Sequence, residues 1–346
     1  MYQKLLKRTT AYCFVFFIIA MTGMFYYDAN KIIVIADSAA TGGEIQELKT
    51  QYLLLMKSND TGKNQIVIPL QDTVLAEDVQ IQNRYIDNEL WIGIEGASTD
   101  FYAKEYVSAN LEKISYGGYD FADKVLWIKF ALNDTYEFKS TMNNGKLTIE
   151  AQKPKEVHEK IVVLDAGHGG SDRGNQEGRV REKDVTLEVL LLLQQKFQNS
   201  DIKVYYTRTD DSFIDEKKRV QLANSVNADM LISIHTSFAE DENKSGISTI
   251  YNGDYFIPKF NSISLSDRLE QAVLRKTGAE ANGLIPATEE EYLVKNAIVP
   301  VAQINIGYLS NQNEKELLSE PEYQNLIADG IYDAIMEIYE EILEND

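Results

Sequence analysis

IVVLDAGHGGSDRG, residues 161–174, decides the fold. Ile161 to Leu164 form a continuous apolar run that ends at Asp165 and meets glycine. That is the texture of a strand covered on both faces, where no side is left for polar residues to alternate. Downstream the pattern keeps alternating. DVTLEVLLLLQQKFQ reads as a helix, KVYYTR as a strand, EKKRVQLANSV as a helix and DMLISIH as a strand. GISTIYN reads as a strand, SLSDRLEQAVLRKTG as a helix, IVPVAQINI as a strand and YQNLIADGIYDAIMEIYEEIL as a closing helix. Strands separated by helices predict an α/β unit over 161–346, a mostly parallel twisted sheet with helices on both faces.

Sites in such sheets gather beyond the carboxyl ends of the strands. His168 follows the first strand in a glycine-rich loop, His235 ends a later one, and Glu182 precedes a helix that should pack beside them. Two imidazoles and one carboxylate form a zinc set with a fourth position left for water. The glycines around His168 let the backbone bend and leave room for metal and substrate. Asp165 is placed to accept the proton on the other nitrogen of His168 and set its tautomer. Blander readings stand beside these: a histidine at a strand end can be structural, and Glu182 beside Lys183 and Asp184 can be a surface carboxylate. GHGGSDRG is not a phosphate loop, because it lacks the required Lys and Ser/Thr.

Outward from this unit, KPKEVHEK contains Pro154 and many charges, so residues 154–160 read as a linker and His158 as a solvated loop histidine. Before it, QIVIPL, DVQIQN, NELWIGIEG, KVLWIKFAL and KLTIEAQ place apolar residues at every second position, the strand period. YEFKSTMNNGKLTIE reads as a hairpin around Asn144-Gly145. Residues 45–153 are therefore expected to be a small all-β domain. Trp91, Trp127, Tyr116 and Tyr119 could form a sugar-stacking surface there, although core packing explains them better. Residues 28–44 read as a tether. Residues 11–27, AYCFVFFIIAMTGMFYY, carry no charge and at ~1.5 Å per residue reach ~25 Å, enough to cross a thin hydrocarbon core. Residues 1–10 form a basic tail with Lys4, Lys7 and Arg8, which predicts a cytoplasmic N-terminus and an exported body. A cleaved signal peptide is the alternative for 11–27. The expected placement is thus the cell membrane, single-pass, or the cell wall after cleavage.

A formal net charge of −20 and the absence of Lys/Arg clusters exclude a phosphate-gripping, nucleic-acid-binding role for the bulk of the chain. The lone Cys13 excludes an intramolecular disulfide and a thiolate metal cluster.

VLDAGHGGSDRG, REKDVTLEV, YYTRTDD, RVQLANSVNADMLISIH and IGYLSNQNEKELL together resemble, in order and spacing, the zinc-dependent N-acetylmuramoyl-L-alanine amidases of the type 3 family. The resemblance covers about Lys160 to the C-terminus. It implies Zn2+ held by His168, Glu182 and His235, and cleavage of the amide between N-acetylmuramic acid and L-alanine in peptidoglycan. The 45–153 region is similar in size and strand texture to amidase N-terminal wall-localisation modules. Peptidoglycan, the membrane through the N-terminal anchor, and cell-wall or division regulators are the partners this implies. The chain departs from the family at two places. Asn305 stands where the family carries its general-base Glu, and Thr236-Ser237 follows His235 where the family shows an Asn. Glu280, Glu289, Glu290 and Glu291, ahead of the strand that ends at Asn305, are candidates to replace the base, although a solvated acidic loop explains them better; Asp165 is a second candidate, better suited to orienting His168. Two functions remain open: a zinc amidase of reduced activity, and a catalytically silent, zinc-retaining peptidoglycan-binding or regulatory protein.

Overall fold

A computed structural model describes residues 35–37, 52–58, 64–109, 114–254 and 260–343. The first part is all-β. Its main strands are β1 (Gln65–Pro69), β2 (Val79–Arg84), β3 (Glu89–Glu95), β4 (Val107–Ala109), β5 (Ile114–Ala122), β6 (Val125–Leu132), β7 (Glu137–Asn143) and β8 (Lys146–Gln152). In one sheet β2, β3, β6 and β5 lie side by side, and in the other β7, β8, β1 and β4. The period-2 pattern selects the face. Leu126, Ile128, Phe130 and Leu132 of β6 are buried, while Val125, Trp127, Lys129 and Ala131 are only partly covered. The β7–β8 hairpin turns at Asn144 and Gly145, both at positive φ (49° and 67°). Tyr119 lies in the core, and Trp91 is buried under Arg84 and Lys129. Packing therefore accounts for these two aromatics.

The second part is α/β. Strands β9 (Ile161–Ala166), β10 (Lys203–Tyr206), β11 (Met230–Ser237), β12 (Ile247–Tyr251), β13 (Ala281–Pro286) and β14 (Val301–Tyr308) form one sheet in the order β10-β9-β11-β14-β12-β13. The pairs β9–β10, β9–β11, β11–β14 and β12–β13 are parallel. Only β12–β14 is antiparallel, so the sheet is mixed. Strand β13 has no counterpart in the sequence reading, because ANGLIP carries Gly, Asn and Pro and lies half-exposed at the edge.

Helices cover both faces. On one lie α1 (Glu182–Phe197), α3 (Ser262–Thr277) and α6 (Pro321–Ile338), whose leucines, isoleucines and valines pack onto Val162, Leu164, Ile232, Ile234, Ile304 and Ile306. On the other lie α2 (Glu216–Ser225) and α4 (Tyr292–Asn296), against Ile161, Val163, Leu231 and Val301. A short helix α5 (Gln312–Leu318) follows β14 and is capped by the Asn311 carboxamide. Leu190, Leu193, Leu265 and Leu269 are fully buried, and each contributes on the order of 1.5–3 kcal/mol.

Two expectations need correcting at the N-terminus. Ile35–Asp37, inside the expected 28–44 tether, adds a short parallel strand beside β2, paired with Ile81 to Asn83. The expected single-pass placement in the cell membrane does not stand. Among the described residues no helix is long and apolar enough to cross a membrane. The longest, α6, buries one face and exposes charges such as Glu322. Residues 11–27, to which the sequence assigns the anchor, and the basic tail 1–10 lie outside the described residues.

Candidate metal centre

His168, Glu182 and His235 converge at the carboxyl ends of β9 and β11. Their ligand atoms all lie within 4.8 Å of one another. Glu182 is the first residue of α1 and is 1% exposed, so it is no surface carboxylate. Each of its oxygens is held by a backbone N–H and looks at a different ring. Oε2 accepts from Asn175 N at 2.8 Å and sits 3.2 Å from His168 Nε2. Oε1 accepts from Thr236 N at 2.8 Å and sits 3.1 Å from His235 Nδ1. The two rings meet edge-on, 4.9 Å between centroids.

Burial alone would raise the Glu182 carboxyl, but hydrogen bonds to both histidines outweigh it and hold it well below the usual carboxylate range. Burial would likewise lower His168, yet Glu182 and Asp172 raise it to about 8. In the metal-free chain His168 and Glu182 thus favour each other's charged forms. The donor set fits a small divalent ion. The space around the ligands admits no extra carbon: a Cβ on Gly167 would lie 2.3 Å from the His235 ring, and one on Gly174 2.6 Å from Glu182 Oε2.

The loop geometry is held from behind. His168 sits at φ 61°, a conformation costly for a residue with a side chain. Two buried arginines compensate by gripping carbonyls. Arg208 donates from Nε to Ala166 O (2.9 Å) and from Nη2 to Gly167 O (2.8 Å) and Lys183 O (2.9 Å). Arg219 donates to Ala166 O (2.7 Å) and His168 O (2.8 Å). Neither was legible as functional from composition, because a lone arginine in a strand end or helix usually faces solvent. The one signal is Arg219 directly preceding Val220 on the buried face of α2.

Asp165 does not orient His168 directly, as the sequence suggests. Its side chain points at the β9–β11 layer, accepting from Thr207 (2.6 Å), Ser233 and Arg219 (2.5 Å). Burial would raise it, but Arg219 and the two hydroxyls hold it at about 2. The carboxylate on His168 Nδ1 is Asp172, at 2.8 Å. Its spacing of four residues is visible in sequence, but only the Gly169–Asp172 bridge brings it back over the ring.

Asn305 lies beside His235, its Cα partner across β11–β14, and is 8% exposed. Its carboxamide accepts from Gln303 (3.3 Å) and donates to Ser248 (3.4 Å). Of the other candidate carboxylates, Glu280 accepts from Ser245, Glu291 from Thr288, Glu289 faces Lys295, and Glu290 is exposed. His158 stands 3.8 Å from Glu137, apart from the cluster. Beside the histidines opens a cleft of about 340 Å³ walled by Asp172, Phe213, Arg219 and Tyr292.

The family model described as N-acetylmuramoyl-L-alanine amidase matches residues 162–337. The germination-specific N-acetylmuramoyl-L-alanine amidase of Bacillus subtilis is 31% identical over 241 residues, 63% of this chain and 96% of that protein. The probable cell wall amidase LytH of Staphylococcus aureus is 30% identical over 196 residues, 55% of this chain and 62% of LytH, so less than two thirds of that relative is spanned. Among solved structures, the CwlD amidase from Clostridioides difficile in complex with the GerS lipoprotein is 31% identical, with 54% of this chain and all of that chain covered, at a TM-score of 0.49.

Proposed function

Because the chain belongs to the N-acetylmuramoyl-L-alanine amidase family, we propose that residues 161–346 are a zinc-dependent hydrolase. It cleaves the amide between N-acetylmuramic acid and L-alanine in peptidoglycan, with turnover reduced by the amide at position 305. The observation that carries this reading is the convergence of His168, Glu182 and His235 within 4.8 Å. His168 would hold zinc through Nε2, His235 through Nδ1 and Glu182 through its carboxylate. Bound zinc supplies Lewis acidity and a nucleophile available at neutral pH.

The chain's own residues do the rest. Asp172 accepts the Nδ1 proton of His168 and so leaves Nε2 as a lone pair facing inward. The backbone N–H groups of Asn175 and Thr236 keep the Glu182 oxygens aimed. The cleft beside them is large enough for an acyl-peptide segment to reach the ligands. Position 305 supplies no proton acceptor. A carboxamide cannot take up a proton at neutral pH, and general-base catalysis is typically worth 10²–10⁴-fold.

A second reading is favoured by that same residue. Both polar atoms of Asn305 are engaged by Gln303 and Ser248, which suits a catalytically silent protein that retains zinc and binds or regulates at peptidoglycan. Purified chain loaded with zinc and given muropeptides separates the two, with Asn305→Glu alongside. Slow release of stem peptides by the unmodified chain supports the hydrolase. Glycan binding with no release by the unmodified chain supports the silent protein. Failure to take up zinc overturns both.

A further inference from the structure

The turn Tyr85–Asn88 between β2 and β3 sends its two apolar side chains into the core of the α/β part. Tyr85 and Ile86, 5% and 4% exposed, join the cluster built by Ile161 and Val163 of β9, Tyr205 of β10 and Val220, Leu222 and Ala223 of α2. The Tyr85 hydroxyl donates to Tyr206 O at 2.9 Å and accepts from Tyr206 N at 3.2 Å, and its ring meets Tyr205 edge-on at 5.0 Å. Asp87 pairs with Lys218 at 2.7 Å. Thr135, which donates to Asn88, has its hydroxyl 2.8 Å from that of Ser225. Lys218 lies in the first turn of α2 and Ser225 is its last residue. The β domain therefore touches this helix at both ends and on its apolar face.

Those contacts converge on the two arginines behind the metal centre. Tyr206 lies two residues before Arg208, and Lys218 is the neighbour of Arg219. We propose that the β domain is an intramolecular positioning partner of the metal centre: the 85–88 turn holds β10 and α2 in place, and they, through Arg208 and Arg219, hold the His168 loop. The loop needs such support because His168, Gly169 and Gly170 all sit at positive φ, which an unsupported chain rarely populates in succession. Tyr85 and Ile86 are positioning residues in this scheme. It rests on the reading of His168, Glu182 and His235 as ligands.

The test uses the full chain with Ile86→Ser and Tyr85→Phe, read by zinc titration against a chelator and by amide exchange of the metal-free protein. Supports of metal ligands typically contribute 10–100-fold to affinity, so Ile86→Ser is expected to weaken zinc binding ~10-fold. It should also speed exchange over residues 166–172 while leaving α6, on the opposite face of the sheet, unchanged. Tyr85→Phe keeps the ring, loses the hydroxyl bonds and shifts both readings the same way by less. Unchanged exchange at 166–172 and unchanged affinity in both variants overturn the proposal, as does exchange that rises equally in α6. Should Ile86→Ser not fold, Tyr85→Phe decides alone. If the unmodified chain takes up no zinc, the ligand reading fails, while exchange at 166–172 in the metal-free variants still decides the support.

Discussion

The loop bearing His168 and the strand end bearing Asn305 flank the strand of His235, and they are built to opposite standards. The loop is held by two guanidinium groups, a buried carboxylate and a bridge to Asp172, with contacts of 2.5–3.0 Å. The strand end offers a neutral amide with two contacts of 3.3–3.4 Å. The proposed metal ligands and the proposed proton-moving position therefore differ in how firmly the fold holds them. The contacts that place the proposed ligands are over-determined, and the position expected to move a proton has no acid-base chemistry.

The comparison is sharpened most by restoring the base. Asn305→Glu is expected to raise muropeptide hydrolysis by about 10²–10⁴-fold, measured as stem-peptide release. No gain, in a chain that already releases stem peptides unmodified, would mean that the proton is handled elsewhere in the cleft. On the loop side, Glu182→Gln should lower zinc affinity by more than ~100-fold, exceeding the loss typical of an outer support, as read by competitive titration. Retained affinity would break the ligand assignment. Next is Arg219→Lys, which keeps the charge facing Asp165 but cannot reproduce the planar fork. Zinc affinity is expected to fall ~10–100-fold while far-UV circular dichroism is preserved. Per pH unit, the smallest effect is pH dependence. His168, raised to about 8 in the metal-free chain, must lose its proton to bind metal. Zinc affinity should therefore fall about tenfold per unit below pH 8 and level off above it. The sign is reversed for folding of the metal-free chain. A raised pKa gives stability that is complete below the unfolded value near 6.5 and disappears as pH rises through about 8.

Much of this was legible in the chain, and the limits have physical causes. The βα alternation was visible because IVVLD and DMLISIH are long apolar runs, and both-face burial leaves no other reading of them. His168 and His235 stood out because strand ends in such sheets are where sites form. Strand β13 was not visible, since an exposed edge strand needs no apolar pattern. Strand β5 was masked by the glycines of SYGGYDF, although Tyr119 packs into the core. The partner of His168 was misassigned for a related reason. Asp165 is adjacent in sequence, but strand alternation turns it into the sheet layer toward Arg219, and a tight bridge returns Asp172 instead.

By itself, the sequence determined the α/β class, the preceding β domain, the two histidines with Glu182, and the amide at 305, because periodicity and residue type are local properties. Only the tertiary structure decided which oxygen meets which ring, that Asp172 rather than Asp165 serves His168, and that Arg208 and Arg219 stand behind the loop. It also decided that a turn of the β domain reaches the helix carrying Arg219. Those pairings join residues 4 to 131 positions apart, and hydrogen bonds and packing across such separations follow from how the layers close, not from any pattern along the chain.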